Sequence, residues 1–201
     1  SALQAQNFTS ATDAYNTAMG YGAGSSVTTG AYNTIIGGLA GDAITTGASN
    51  VAVGINALTA NTTASNNTAV GSAALADNTT ATGGVGIGYR ALNVNTTGAN
   101  NTAVGYDSLL ANTTGAVNVA VGKSAGDTIT TGGGCVILGA LADVSVAGGN
   151  YVNVLGYAVT GDAGYTTIGE SADDIRAAHG TATWATVSDQ RYKKDIVDST
   201  T

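Results

Sequence analysis

The sequence predicts an all-β protein, a repetitive parallel β-roll or β-solenoid of 17-residue coils. Three observations lead there. A glycine recurs as Gly20, Gly37, Gly54, Gly71, Gly88, Gly105, Gly122, Gly139 and Gly156, every 17 residues without slippage, the mark of one coil per repeat. The unit is rich in Thr, Val, Asn and Gly and too short for two helices and a turn, which favours short strands joined by tight turns. Finally, 43% of the 201 residues are apolar but only 5% aromatic, and none is proline. A chain so poor in bulky side chains cannot fill a thick interior, yet it is too apolar to stay disordered. The core must be thin and repeated.

Counting each unit from Tyr15, the elements follow in order. Positions three to five, as in Thr102-Ala103-Val104, form a short strand. The fifth position is apolar in all nine units: Met19, Ile36, Val53, Val70, Ile87, Val104, Val121, Leu138 and Leu155. The repeated glycine at position six supplies a bend with positive φ. Positions seven to eleven cross to the opposite side, carrying an inward Ala at position nine in seven of nine units and often a Leu beside it, as at Leu58, Leu75, Leu92 and Leu109. Thr-Thr followed by Gly or Ala, often preceded by Asn, turns the chain back in the first seven units. At about 4.8 Å per coil, nine coils make a rod of roughly 40 Å.

Alternation along the strand sends positions three and five to one face and position four to the other. Both faces are apolar or small, as in Val51-Ala52-Val53, Val119-Ala120-Val121 and Val136-Ile137-Leu138. A wall with one face in water should alternate polar with apolar. One face is therefore expected to fill the coil and the other to pack against a second copy of the chain.

Charge and composition exclude several functions. The net charge is -7, and four of the six basic residues (Arg176, Arg191, Lys193, Lys194) lie in the last 26, so no basic patch for nucleic acid is expected. No run of about 18 apolar residues exists to insert in a membrane. The chain opens without an initiator Met and without a signal peptide, which reads as a processed chain or a fragment. Cys135, the lone cysteine, stands in a column that other units fill with Asn and is expected to be a small buried thiol. The lone His179 has no clustered partner. No Asp-x-Asp run or Cys/His cluster suggests a metal, and no cofactor is expected. The acidic residues of the repeats, Asp42, Asp77, Asp107, Asp127 and Asp143, are scattered over different coils; Asp42 and Asp127 share position eleven but lie about 24 Å apart by coil spacing. A polysaccharide depolymerase would need grouped carboxylates, so no enzyme is expected.

The unit "NTAVGY", followed by Ala-Leu or Ala-Gly and "NTTG", resembles the head repeats of trimeric autotransporter adhesins over residues 15 to about 160. That resemblance implies a left-handed parallel β-roll that forms a homotrimer through its strand wall, although the 17-residue coil is longer than the usual adhesin repeat. Similar NTTG-bearing repeats occur in fibre proteins of phages and bacteria. The rhythm breaks after Gly156: "YTTIG" ends at Gly169, 13 residues on. The chain accordingly divides into a lead-in (1–14), the coils (15–160), a non-repeat β connector (161–187) and a terminal segment (188–201). Trp184, in "TATWATV", is expected in a short strand near a trimer axis.

The terminal segment "SDQRYKKDI", Ser188 to Ile196, resembles the start of the intramolecular chaperone domain at the C-terminus of phage endosialidases, tail fibres and tailspikes. Ser188, Asp189, Arg191, Lys193, Asp195 and Ile196 match that family's fixed positions; Tyr192 stands where it often has Leu. The resemblance implies scission between Val187 and Ser188 once three chains have assembled, with Ser188 as nucleophile and Asp189 assisting. Fourteen residues (188–201) are only the beginning of such a domain. At most, then, the chain carries a single-turnover self-cleavage site.

Together the resemblances imply the distal part of a homotrimeric phage tail fibre, located in the virion, which recognises a bacterial surface glycan or protein receptor. Its partners would be two further copies of itself and other tail or fibre proteins held by an N-terminal region outside this chain. The tyrosines after the bend, Tyr21, Tyr89, Tyr106 and Tyr157, are candidate receptor contacts, since Tyr combines a flat face with a hydroxyl; alternatively they merely cover the outer wall. A bacterial cell-surface trimeric adhesin is the alternative reading. A third, an ice-binding solenoid, is disfavoured because adjacent threonines in a strand point to opposite sides.

Overall fold

The computed structural model describes residues 1–5 and 14–180 and, as backbone, residues 184–186. These residues are all-β, with one short strand in each 17-residue coil. β1 (Thr17–Met19), β2 (Thr34–Ile36), β3 (Val51–Val53), β4 (Thr68–Val70), β5 (Val85–Ile87), β6 (Thr102–Val104), β7 (Val119–Val121) and β8 (Val136–Leu138) occupy positions three to five of their coils. They are followed by β9 (Asp143–Val144), β10 (Asn153–Tyr157), β11 (Thr160–Gly161), β12 (Tyr165–Glu170), β13 (Asp173–Ala178) and β14 (Trp184–Thr186).

β1 to β8 stack in sequence order as a parallel sheet that continues through β10 and β12. Register follows the repeat, with Thr102 opposite Val119 and Val104 opposite Val121. The wall outlasts the 17-residue rhythm: Gly156 of β10 pairs with Gly169 of β12 across the shortened coil. β13 and β14 then add antiparallel strands at that end. β9 and β11 form a separate two-stranded parallel sheet.

Position four points inward. Ile35, Ala52, Ala69, Ala103, Ala120 and Ile137 are fully buried and meet the ninth-position alanines, also fully buried, across a thin core. The opposite wall is built of turns. Its residues at position eight are left-handed in every coil, from Gly22 (φ +66°) and Leu39 (φ +55°) to Ala158 (φ +51°), and Leu58, Leu75, Leu92 and Leu109 at position ten share that conformation. For a Leu this backbone costs about 1–2 kcal/mol, offset by the roughly 1.5–3 kcal/mol gained on burying its side chain.

Both walls stay in register because the backbone bonds run from coil to coil, as in Leu58 N–H to Ala74 O (3.1 Å) and Leu75 N–H to Ala91 O (3.0 Å). Leu3 makes the equivalent bond to Ala23 O (3.0 Å) at φ +48°. Residues 1–5 thus lie as a tenth-position turn above the first coil, a relation that counting from Tyr15 does not reach.

The bend glycines are required twice over. Gly105 adopts φ +140°, and a Cβ there would lie 2.3 Å from Gly122 O, so successive bends stack backbone directly on backbone. Asparagines at position two hold the other strand end. Asn33 Nδ2 donates to Gly47 O (2.9 Å) within its own coil, while its Oδ1 accepts the N–H of Asn50 (3.0 Å) in the next. Asn33, Asn50, Asn67, Asn101 and Asn118 of this ladder are fully buried, and their polar atoms are paired along the stacking axis. Cys135 takes an Asn place in the ladder: its N–H donates to Asn118 Oδ1 (2.9 Å), and its Sγ reaches Gly149 O (3.3 Å), as Asn118 Nδ2 reaches Gly132 O (2.8 Å). It is the small buried thiol expected, and burial raises its pKa.

Candidate interaction surfaces

The outward face of the strand wall carries positions three and five. Position five remains accessible though apolar, with Met19 65%, Ile87 40%, Val121 40% and Leu155 47% exposed. Position one lies at the strand's entrance and adds exposed Tyr15, Tyr32, Val117 and Tyr151, with Tyr15 and Tyr32 stacked at 5.6 Å. Across positions one, three and five of all nine coils there is no charged residue. At the far end this face deepens into an open apolar hollow of about 190 Å³, lined by Val136, Leu138, Leu155 and Ile168 with Thr166 at its edge. The exposed His179 ring sits close by, with Nε2 3.1 Å from Thr166 Oγ1.

The charges of the coils lie elsewhere. Asp42 accepts a hydrogen bond from Thr59 (2.6 Å) and stays five coils from Asp127. Asp143 is held against Asp127; burial raises its pKa to about 6 despite hydrogen bonds from Thr128 and the Val144 N–H that lower it. Arg90 forms a fork on Asp107, with Nε to Oδ1 at 2.8 Å and Nη2 to Oδ2 at 2.5 Å. No group of three potential metal ligands occurs among the described residues.

The four tyrosines of position seven do not make one continuous column. Tyr89 and Tyr106 stack at 5.1 Å with 25° between their planes. Tyr21 and Tyr157 are exposed but stand coils away, because Gly38, Ile55, Ser72, Lys123 and Ala140 occupy the intervening places. Ser188, Asp189 and the rest of the 188–196 motif lie outside the described residues, as does the Trp184 side chain.

The turn threonines divide into two roles. Those at position fourteen donate to the next coil, as Thr96 Oγ1 does to Thr113 O (3.0 Å) and Thr113 Oγ1 to Thr130 O (3.1 Å); their neighbours Thr97 and Thr114 are exposed. Asn61, Asn78, Asn95 and Asn112, which begin the Asn-Thr-Thr turns, are fully buried and bond the carbonyl three residues on, as Asn95 Nδ2 does to Gly98 O (3.0 Å).

The fold defines a regular parallel β-solenoid with one strand wall and one turn wall. No protein-family model, curated protein or solved structure matches the chain.

Proposed function

We propose that this chain is the shaft and adhesive surface of a homotrimeric fibre, the distal part of a phage tail fibre, in which three strand walls close around one axis. The supporting observation is the outward wall of a protein with net charge -7: free of charge at positions one, three and five through nine coils, and apolar and accessible at position five in every one of them. A monomer seldom leaves so long an apolar strip in water.

A strip five residues wide and nine coils long covers about 700 Å², close to the roughly 800 Å² that each partner contributes to a standard interface. It is therefore large enough to hold copies together; the number three comes from the resemblance to trimeric adhesin heads. Three parallel copies also present each lateral surface three times, which turns weak contacts with a repetitive bacterial envelope into avidity. The assignment to a phage fibre, with Ser188 and Asp189 as its self-cleavage pair, rests on the motif resemblance at 188–196.

Light scattering tests the assembly. The expected mass is three times the 19.5 kDa chain, and Val70→Lys with Val104→Lys, which place ammonium groups on the wall, should release single chains. A wild-type chain that stays single at tens of micromolar would refute the proposal. In a longer chain carrying the complete chaperone, intact mass should show a product ending at Val187, and Ser188→Ala should prevent the cut.

A further inference from the structure

From the corner of coils five to seven we infer a binding site for an acidic saccharide, formed by Tyr89, Tyr106, Arg90, Asp107 and Lys123. The inference rests on the adhesive reading above and names the ligand class of its receptor surface. Between residues 15 and 160 the sequence contains two basic residues, Arg90 and Lys123. Both stand at this one corner, beside the stacked Tyr89–Tyr106 pair. Two adjacent coils thus acquire a tyrosine at position seven and a charged residue at position eight together, and the third places an ammonium next in the tyrosine column.

The two cations differ in what they can do. The Arg90 guanidinium lies 5.2 Å from the Tyr89 ring centroid and is forked on Asp107, whose side chain is only 10% exposed. That pair is neutral overall and held in place, and the guanidinium N–H groups not used on Asp107, on a side chain 37% exposed, are planar donors suited to neighbouring hydroxyl groups. Lys123 is exposed and makes no ion pair among the described residues. It stands one coil, about 4.8 Å, beyond Tyr106. A ligand lying along the corner would rest ring C–H groups on the half-exposed tyrosines, share hydroxyls with the Arg90–Asp107 fork and bring a carboxylate to Lys123.

Charge selects this class over others. A nucleic acid would need several free cations in a line, and here there is one. A phosphate ligand would call on the Arg90 fork, which Asp107 already occupies. A neutral saccharide would leave Lys123 unused. A sugar ring can bind the half-exposed aromatic faces directly.

The test is an array of immobilised oligosaccharides, neutral and uronate-bearing, probed with the assembled chain, followed by titration of the retained ones in solution. Uronate-bearing glycans should be retained in preference to neutral ones of equal length. Lys123→Gln should weaken the acidic ligands at least tenfold and leave neutral ones unchanged, while Tyr106→Ala should weaken both; Tyr21→Ala, far along the rod, should change neither. No retention of any carboxylated glycan, or retention indifferent to Lys123→Gln and Tyr106→Ala, overturns the site. A chain that forms trimers and coats bacteria yet gives that result loses this site alone. A single chain that ignores bacteria but retains uronates through Lys123 keeps the site and loses the fibre.

Discussion

Coils three to six and coils one, two and seven have the same backbone but fill it from opposite sides of the turn wall. In the first group position ten is Leu58, Leu75, Leu92 or Leu109 and position thirteen is Asn61, Asn78, Asn95 or Asn112; all eight are buried. In the second, position ten is Gly24, Gly41 or Gly126, and position thirteen is Val27, Ile44 or Ile129. The two fillings exclude one another: a Cβ at Gly41 would lie 2.7 Å from Ile44 Cδ1, and one at Gly126 would lie 3.2 Å from Ile129 Cδ1. Position four, Ala in coils one, three, four, six and seven, does not follow the grouping but interlocks with position ten: a Cβ at Gly86 would be 3.3 Å from Leu75 Cγ, and Ile35 reaches toward Gly24 and Gly41. What is held constant from coil to coil is therefore the volume between the walls, while the residue that supplies it changes.

The polar cost differs between the groups. When Leu fills the core from position ten, Asn at thirteen is free to bridge the turn, and the asparagines form a short ladder: Asn112 Nδ2 donates to Asn95 Oδ1 (2.8 Å) and Asn95 Nδ2 to Asn78 Oδ1 (3.3 Å). The ladder ends where the group ends. Asn112 Oδ1, facing a coil that carries Ile129, is buried without a partner, so that change of coil type leaves an unsatisfied oxygen at the boundary; Asn61 Oδ1 is also unpartnered although the next coil carries Asn78.

The largest expected effect should ignore this difference. Gly37 and Gly105 belong to opposite groups, yet each has φ near +140° and would bring a Cβ to 2.5 Å or 2.3 Å from the next bend carbonyl. Gly37→Ala and Gly105→Ala should each destabilise by about 3 kcal/mol or more, read as equal shifts in denaturant midpoint. Markedly unequal losses would show that the bend is not shared.

Next in size is an exchange between the groups. Leu75→Gly removes a buried side chain and should cost about 3 kcal/mol; Asn78→Ile alone crowds Leu75 and should cost about 1–3 kcal/mol. Combined, they rebuild the Gly41–Ile44 arrangement in coil four, and the double variant should recover at least half of the Leu75→Gly loss in chemical denaturation. Additive losses would break the constant-volume account.

Much of this architecture was legible in the sequence, because a strict period ties each residue type to one place. All nine coil strands begin at the expected third position, the bend glycines carry positive φ, and Ala and Leu of the crossing face the core. The left-handed residues at position eight were not legible: Asn56, Ala73, Arg90 and Asp107 share no side-chain property, and the torsion is imposed by the stacking of neighbouring coils. The exchange between positions ten and thirteen is written plainly in the columns, but it acquires meaning only when the two side chains are seen to compete for one space. On the surface, the tyrosine column read as one feature, whereas Ser72 and Lys123 confine its stacked part to Tyr89 and Tyr106. The Arg90–Asp107 fork, 17 residues apart, could have been found by aligning opposite charges at the same repeat position.

Coil eight offers a third occupant of position ten, and the smallest predicted effect. There Asp143 replaces both Leu and Gly, with its carboxyl partly buried against Asp127 and its pKa raised to about 6 from 3.8. The folded chain therefore binds this proton more tightly than the unfolded chain does. The resulting stabilisation is fully present below about pH 4 and is lost as pH rises through about 6. The group is still partly solvated, so screening reduces the effect to about 1 kcal/mol, or about 2–4 °C in Tm for a chain of this size. Asp143→Asn keeps the shape and cannot ionise; its Tm relative to wild type should climb between pH 4 and pH 7 by that amount and level off above. A constant difference across that range would mean that the carboxyl of coil eight is as well hydrated folded as unfolded, and that position ten, filled in coils one to seven by the demands of the core, is released from them where the second small sheet begins.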